Sequence, residues 1–220
     1  GSLSAAVVLF ALVSGSARAE LAAARTDGEL ARLARAGLTE LTVVDAGGVR
    51  LHLHITAAAA KLLADRVFDV ADPNFDEAKF REFVLARFTD GLGYFHRVAA
   101  RVMFSDVHLV LTDLGDGRKT TICETTINSR VIHADVRRFH KMTRGYSSFL
   151  ADLTSIHEYT HANNYVLDDD ETKKHRELVA VMFELLNLVR LHGTDFLIKG
   201  YLKKVTEPVR VPEHVLGDTY

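Results

Sequence analysis

Hydrophobic residues recur along this chain with a spacing that changes from segment to segment, and each spacing predicts an element. Residues 3–13 form an almost unbroken apolar run, and residues 26–36 are short, charged and helix-prone. Over residues 38–55 the pattern alternates. Leu41-Thr42-Val43-Val44 and Val49-Arg50-Leu51-His52-Leu53-His54-Ile55 flank Gly47-Gly48, the signature of a β-hairpin with one buried face. His52 and His54 share a face of the second strand, two residues apart, a pair able to bind metal. With no third ligand beside them on a polar strand face, solvent exposure is the expected state.

The pattern then becomes helical. Residues 57–64 are strongly helix-forming, and Asp72-Pro73-Asn74 breaks the chain. From 75 to 103, Phe80, Phe83, Val84, Phe88, Leu92, Phe95, Val98 and Val102 return at three- and four-residue steps. That predicts one long amphipathic helix, bent near Gly91 and Gly93, whose phenylalanine stripe is core. Residues 107–111 read as a buried strand and Gly115-Asp116-Gly117 as a turn. Two more strands follow, 120–127 and 131–136, joined across Asn128-Ser129.

Residues 146–165 predict a further helix, ended by Asn163-Asn164 and the acidic run Asp168-Asp169-Asp170-Glu171. That run lacks the alternating oxygen-ligand spacing of a calcium loop and reads as a solvated turn or helix start. Residues 171–191 predict the next helix, with Leu178, Val181, Met182, Leu185, Leu188 and Val189 as its apolar face and Gly193 as its stop. Residues 205–220, with Pro208 and Pro212, form an irregular tail or short final element.

Composition adds limits. With 220 residues, 48% hydrophobic and 25% charged, the chain has enough apolar surface for one domain with a sizeable core. A net charge of −2 without a basic run excludes nucleic acid as a partner. Cys123 is the sole cysteine, so no internal disulfide forms, and its β-branched surroundings suit a small core residue better than a nucleophile. The apolar run at 3–13 is followed by Ser14-Gly15-Ser16 and Ala17-Arg18-Ala19, the pattern of a secretory signal and its small-x-small cleavage site. It is short for a bilayer span. Export to the periplasm or beyond is the expectation, with no other membrane role; the alternative is a helix packed on the body. The domain division expected is therefore 1–25 and 26–220.

One stretch dictates chemistry: His157-Glu158-Tyr159-Thr160-His161, which reads H-E-x-x-H. Side chains four apart on a helix share a face, about 6 Å from one another, so two imidazoles can close on one zinc ion. Glu158 can then take a proton from a water at the ion's open position. The neighbours Thr154, Ser155, Ile156 and Ala162 are uncharged, as a helix in a domain centre requires. Asn163 departs from the apolar residue that zinc-protease helices more often place there.

Helix, antiparallel strands, a helix bearing H-E-x-x-H, then another helix: this order resembles the zincin metallopeptidases over roughly residues 75–191. The fold it implies is α+β, a small antiparallel or mixed sheet packed on a long helix and the motif helix, followed by a helical C-terminal part. Within the zincins the chain looks like the gluzincin branch, whose third zinc ligand is a Glu on the following helix. The metzincin pattern needs Gly and His where this chain has Asn164 and Leu167. The aspartate-ligand branch is echoed only weakly by Gly193-Thr194-Asp195.

The resemblance makes Glu177 the first choice for third ligand. Glu177-Leu178-Val179-Ala180 looks like the E-x-x-A segment of gluzincin-like helices, with a small Ala permitting close helix approach. Glu177 follows His161 by 16 residues, room for a loop and one helical turn. Glu184, two turns on at nearly the same azimuth, is the second choice, and Asp195 and His175 stand behind it. Position 181 is Val, where the family often has an Asp that supports a zinc-binding His. The activity implied is Zn²⁺-dependent hydrolysis of a peptide or protein substrate, with Glu158 as general base. Substrate would add as a strand along the edge formed by residues 120–136. Tyr201, His192 and Tyr165 are candidates to support the oxyanion. The alternative is a zincin-fold binding or toxin-type domain without catalysis, which the intact Glu158 opposes.

Overall fold

The computed structural model describes residues 2–66, 75–115, 121–143, 148–163 and 170–195, with side chains from Ala19 onward except 170–173. Among them lie six helices and five strands: α1 Ser2–Arg35, β1 Thr39–Asp45, β2 Arg50–Ile55, α2 Ala57–Ala64, α3 Glu77–Val98, β3 Asp106–Thr112, β4 Cys123–Thr125, β5 Val131–Asp135, α4 Val136–Met142, α5 Ser148–Asn163 and α6 Asp170–His192. The strands make one mixed sheet in the order β1-β2-β3-β5-β4. β2, β3 and β5 run parallel in the middle, while β1 and β4 pair antiparallel at the two edges. The fold is thus α+β. The expected hairpin is present, with Gly47 and Gly48 both at positive φ in its turn.

Alternation along the strands gives the sheet two different faces. Leu51, Leu53, Ile55, Val107, Leu109, Leu111, Ile132 and Ala134 point one way into the main core with α3 and α5. Val110 and Val131 point the other way and meet Leu33 of α1. The two N-terminal segments read separately in sequence lie within this one helix, which spans position 25. Among the described residues no helix is long and apolar enough to cross a membrane.

α3 supplies the bulk of the core. Asp76 caps its first turn by accepting from Lys79 N, and Phe80, Val84, Phe88, Leu92 and Phe95 are fully buried. Each such side chain stabilises the fold by about 1.5–3 kcal/mol. The helix stops at Val98 rather than continuing to 103, because Asn163 at the end of α5 holds the following backbone. Its Oδ1 accepts from Met103 N at 2.8 Å and its Nδ2 donates to Arg101 O at 3.0 Å. Gly91 serves close packing. A Cβ there would lie 2.4 Å from Ser155 Oγ, so α3 rests directly on α5.

Two further expectations change. The strand expected to reach 136 ends at Asp135, whose carboxylate accepts from Arg138 N at 2.9 Å and Leu114 N at 2.8 Å. That cap starts α4, which the spacing of apolar residues does not reveal. On α6 the expected apolar face is turned outward: Leu178, Val181, Met182 and Leu185 are exposed, and of that set only Leu188 is buried. The residues that meet α5 and the core are instead Glu177, which stays half exposed at the rim, Ala180, Phe183, Glu184, Asn187 and Leu188. The expected tail at 205–220 lies outside the described residues.

Candidate metal centre

α5 and α6 lie side by side and antiparallel, and their contacts step along in register. Glu177 meets His161, Glu184 meets His157, Asn187 Nδ2 donates to Asp152 O at 3.1 Å, and the His192 ring lies 6.1 Å from that of Phe149. The fully buried Ala180 gives the helices room to approach. On the opposite side α5 is fixed by Tyr159, the third residue of the motif. Its ring packs edge-on against Phe88 and its hydroxyl donates to Phe88 O at 2.9 Å. The x positions of H-E-x-x-H therefore anchor the helix, leaving the histidines to face α6.

The two motif imidazoles present Nε2 to Nε2 at 2.8 Å. The Glu177 carboxylate spans both, with one oxygen 3.4 Å from His157 Nε2 and the other 3.3 Å from His161 Nε2. Glu184 occupies a different place: His157 Nδ1 donates to its Oε1 at 2.6 Å. With Nδ1 donating there, Nε2 is the nitrogen that faces Glu177 and His161 and the one a cation would take in place of its proton. The second choice for third ligand thus bonds the far nitrogen of the His157 ring and stands outside the trio. Asp195 and His175 are exposed and do not join the group.

Charge follows this geometry. Burial works to lower the basicity of His157, but hydrogen bonds to Glu177 and Glu184 outweigh it and raise its pKa to about 10. The same bonds, from His157 and then His161, hold the Glu177 carboxyl well below the usual carboxylate range. Two imidazole nitrogens and a carboxylate, all within 4.8 Å of one another, suit a divalent cation. His161 Nδ1 is buried without a partner among the described residues.

Glu158, next to His157 on α5, reaches the sheet. It is buried, and its Oε2 accepts from Thr125 Oγ1 at 2.6 Å. Thr125 is the last residue of β4, one of the two edge strands of the sheet among the described residues. The general-base candidate and the edge strand are therefore in direct contact. Sequence reading missed Thr125, since nothing local marks a threonine 33 residues upstream as a neighbour of the motif.

Of the oxyanion candidates, Tyr165 and Tyr201 lie outside the described residues. His192, beside Phe149, sits roughly 12 Å along the helix pair from His157. Cys123 is buried in the core, and burial pushes its thiol pKa well up, as befits a packing residue. The exposure expected for His52 and His54 is overturned. His54 is only 6% exposed, and His108 of β3 stands beside both as the third member of a second histidine group. Comparison with models of known families, with curated proteins and with solved structures finds no match to this chain, so its function is carried by the chemistry of these side chains alone.

Proposed function

We propose that the chain is a zinc-dependent metallopeptidase of the zincin type, gluzincin-like, acting on an extended peptide or protein segment. The observation that carries this reading is the meeting of His157, His161 and the Glu177 carboxylate at one place, with Glu158, the neighbour of His157 in the motif, held against the edge strand β4. His157, His161 and Glu177 would hold the cation. When bound, it supplies Lewis-acid polarisation of a carbonyl and a water of lowered pKa.

The chain's own residues do the rest. Glu158 accepts the water's proton and returns it to the leaving amine. Thr125 holds the Glu158 carboxylate in place through its hydroxyl. Glu184 keeps the His157 ring in one tautomer and one orientation. β4, an edge strand of the sheet among the described residues, would offer backbone N–H and C=O groups to an added substrate strand, which would bring its amide bonds alongside Thr125 and Glu158. A mixed sheet with an antiparallel edge strand beside the motif helix supports the zincin-like reading of the fold.

We also infer an exported setting from the apolar run at 3–13. The α1 contacts from Arg25 to Leu33 follow a cleavage after Ala19, so removal of the run leaves them in place.

The test is Glu158→Gln. The variant keeps its zinc and its melting temperature, while kcat/KM on an unfolded protein substrate falls by about 10²–10⁴. Full activity in that variant places the chemistry elsewhere. Parent protein that holds zinc at His157 and His161 but cleaves nothing points to the binding-domain alternative.

A further inference from the structure

The second histidine group owes nothing to the H-E-x-x-H motif. β2 and β3 run parallel in register, so His52 stands beside His108, and His54 follows on the same face. The rings crowd together, with centroids 4.6 Å apart for His52–His108, 5.2 Å for His54–His108 and 6.1 Å for His52–His54. His54 Nε2 and His108 Nδ1 lie 3.0 Å apart. His52 Nδ1 donates to Glu40 Oε2 of β1 at 2.9 Å. The other nitrogen of that ring, Nε2, is buried and has no hydrogen-bond partner among the described residues.

We propose that His52, His54 and His108 form a second metal site, on the sheet face opposite the H-E-x-x-H helix, for a late first-row divalent cation of the zinc, nickel and copper group. One nitrogen from each ring already lies within 4.8 Å of the others. Ligand atoms about 2.0–2.1 Å from a tetrahedral zinc are about 3.3 Å apart, a spacing that ring rotations reach without moving the strands. A donor set of imidazoles alone selects borderline cations over magnesium or calcium, which want oxygen.

Of the two nearby carboxylates, Glu40 fixes His52 through Nδ1, leaving Nε2 as its ligand atom. Asp106 accepts from Arg130 at 2.8 Å and stays 3.8 Å from His108 Nε2, beyond hydrogen-bond reach, while His108 Nδ1 faces His54. A cation here gives the orphaned His52 nitrogen a partner. It also ties β2 to β3 and, through Glu40, to the edge strand β1. No general-base carboxylate stands in the group, so its role is to hold the sheet.

The experiment is zinc stoichiometry on the full chain after equilibrium dialysis. The parent should carry two equivalents, the double variant His157→Ala, His161→Ala one, and the double variant His54→Gln, His108→Gln one. One equivalent in the parent that persists in the His54, His108 variant, or two equivalents in that variant, overturns the proposal. Because substitutions in a buried sheet can prevent folding, the unaltered protein is also read directly. Crystals soaked in zinc and measured at the zinc absorption edge should show an anomalous peak about 2.0–2.1 Å from a nitrogen of each of the three rings. A peak at His157 and His161 but none here refutes the second site and leaves the peptidase reading intact. A peak here alone does the reverse.

Discussion

The molecule gathers histidines twice, and the two groups differ in what faces the rings. On α5 the carboxylates of Glu177 and Glu184 stand against the imidazoles, and their hydrogen bonds overcome burial to raise the His157 pKa to about 10. On β2 and β3 the rings face each other. There burial, reinforced by His52 and His54, outweighs Asp106 and Glu40 and lowers the His108 pKa to about 4. One residue type is driven in opposite directions by its neighbours. The helix pair places acids from α6 across from bases on α5, which suits a site that must hold charge and move a proton. The parallel register of the sheet stacks like on like, which suits only holding.

The sharpest way to break this comparison is to remove the acids one at a time. Glu177→Ala should abolish stoichiometric zinc at the helix site, since two imidazoles leave the ion underligated. Glu184→Gln should weaken zinc binding by about 10–100-fold without removing the site, because it alters only the group that orients His157. From sequence alone a Glu184 substitution is an ordinary helix change of a few tenths of a kcal/mol. The 2.6 Å bond to His157 is what raises the expected effect. Titration with a fluorescent zinc chelator measures both. Equal losses in the two variants would mean that both carboxylates bind the ion and that the roles are not separate.

A smaller effect tests whether the helix site depends on packing from behind. Gly91→Ala should cost about 1–3 kcal/mol, because the added Cβ meets the buried Ser155 and forces α3 away from α5. Gly93→Ala, two residues on, meets only the far end of Arg97 at 3.7 Å and should leave stability unchanged or raised by up to about 1 kcal/mol. Thermal unfolding of the two variants settles it. Equal melting temperatures would show that the interface yields freely.

How much of this was legible in sequence divides along the same line. The helix site was readable because its spacing is local: His157, Glu158 and His161 fall within one helical turn and a half, and Glu177 is one loop and one turn beyond. The sheet group was half readable. His52 and His54 were visible as a same-face pair, but His108 enters through strand register across more than fifty residues, which no local spacing encodes. Thr125 was hidden for the same reason. α6 misled for another reason: its apolar residues are real, but the face they mark is outside, because its inner face was spent on Glu177, Glu184 and Asn187. α4 was missed because Asp135, a cap, sits at the end of a strand-like run.

A third histidine gives the intermediate case and the smallest test. His133 of β5 shares the sheet face of His54 and His108, yet it meets a carboxylate. Its Nε2 lies 2.6 Å from Glu29 Oε1 of α1, and Glu29 also accepts from Thr126 and Ser129. The pair lines a cleft of about 780 Å³ together with Arg25, Arg32 and Glu124. Burial works to raise the Glu29 pKa, but the hydrogen bond from His133, followed by those of its other partners, leaves it below the ordinary 4.5. A carboxyl whose folded pKa is depressed contributes stability that is complete above its unfolded value and is lost as pH falls through the folded one. The melting temperature of the parent should therefore exceed that of Glu29→Gln near about pH 7, and the gap should close as pH drops below about 4.5. Measured in chelator, so that no bound metal contributes, the gap reports this pair alone. A gap that holds constant down to about pH 3 would mean that Glu29 acts by shape and hydrogen bonding rather than charge. In that case the presence of a carboxylate would not be what separates one histidine environment from another on this sheet face.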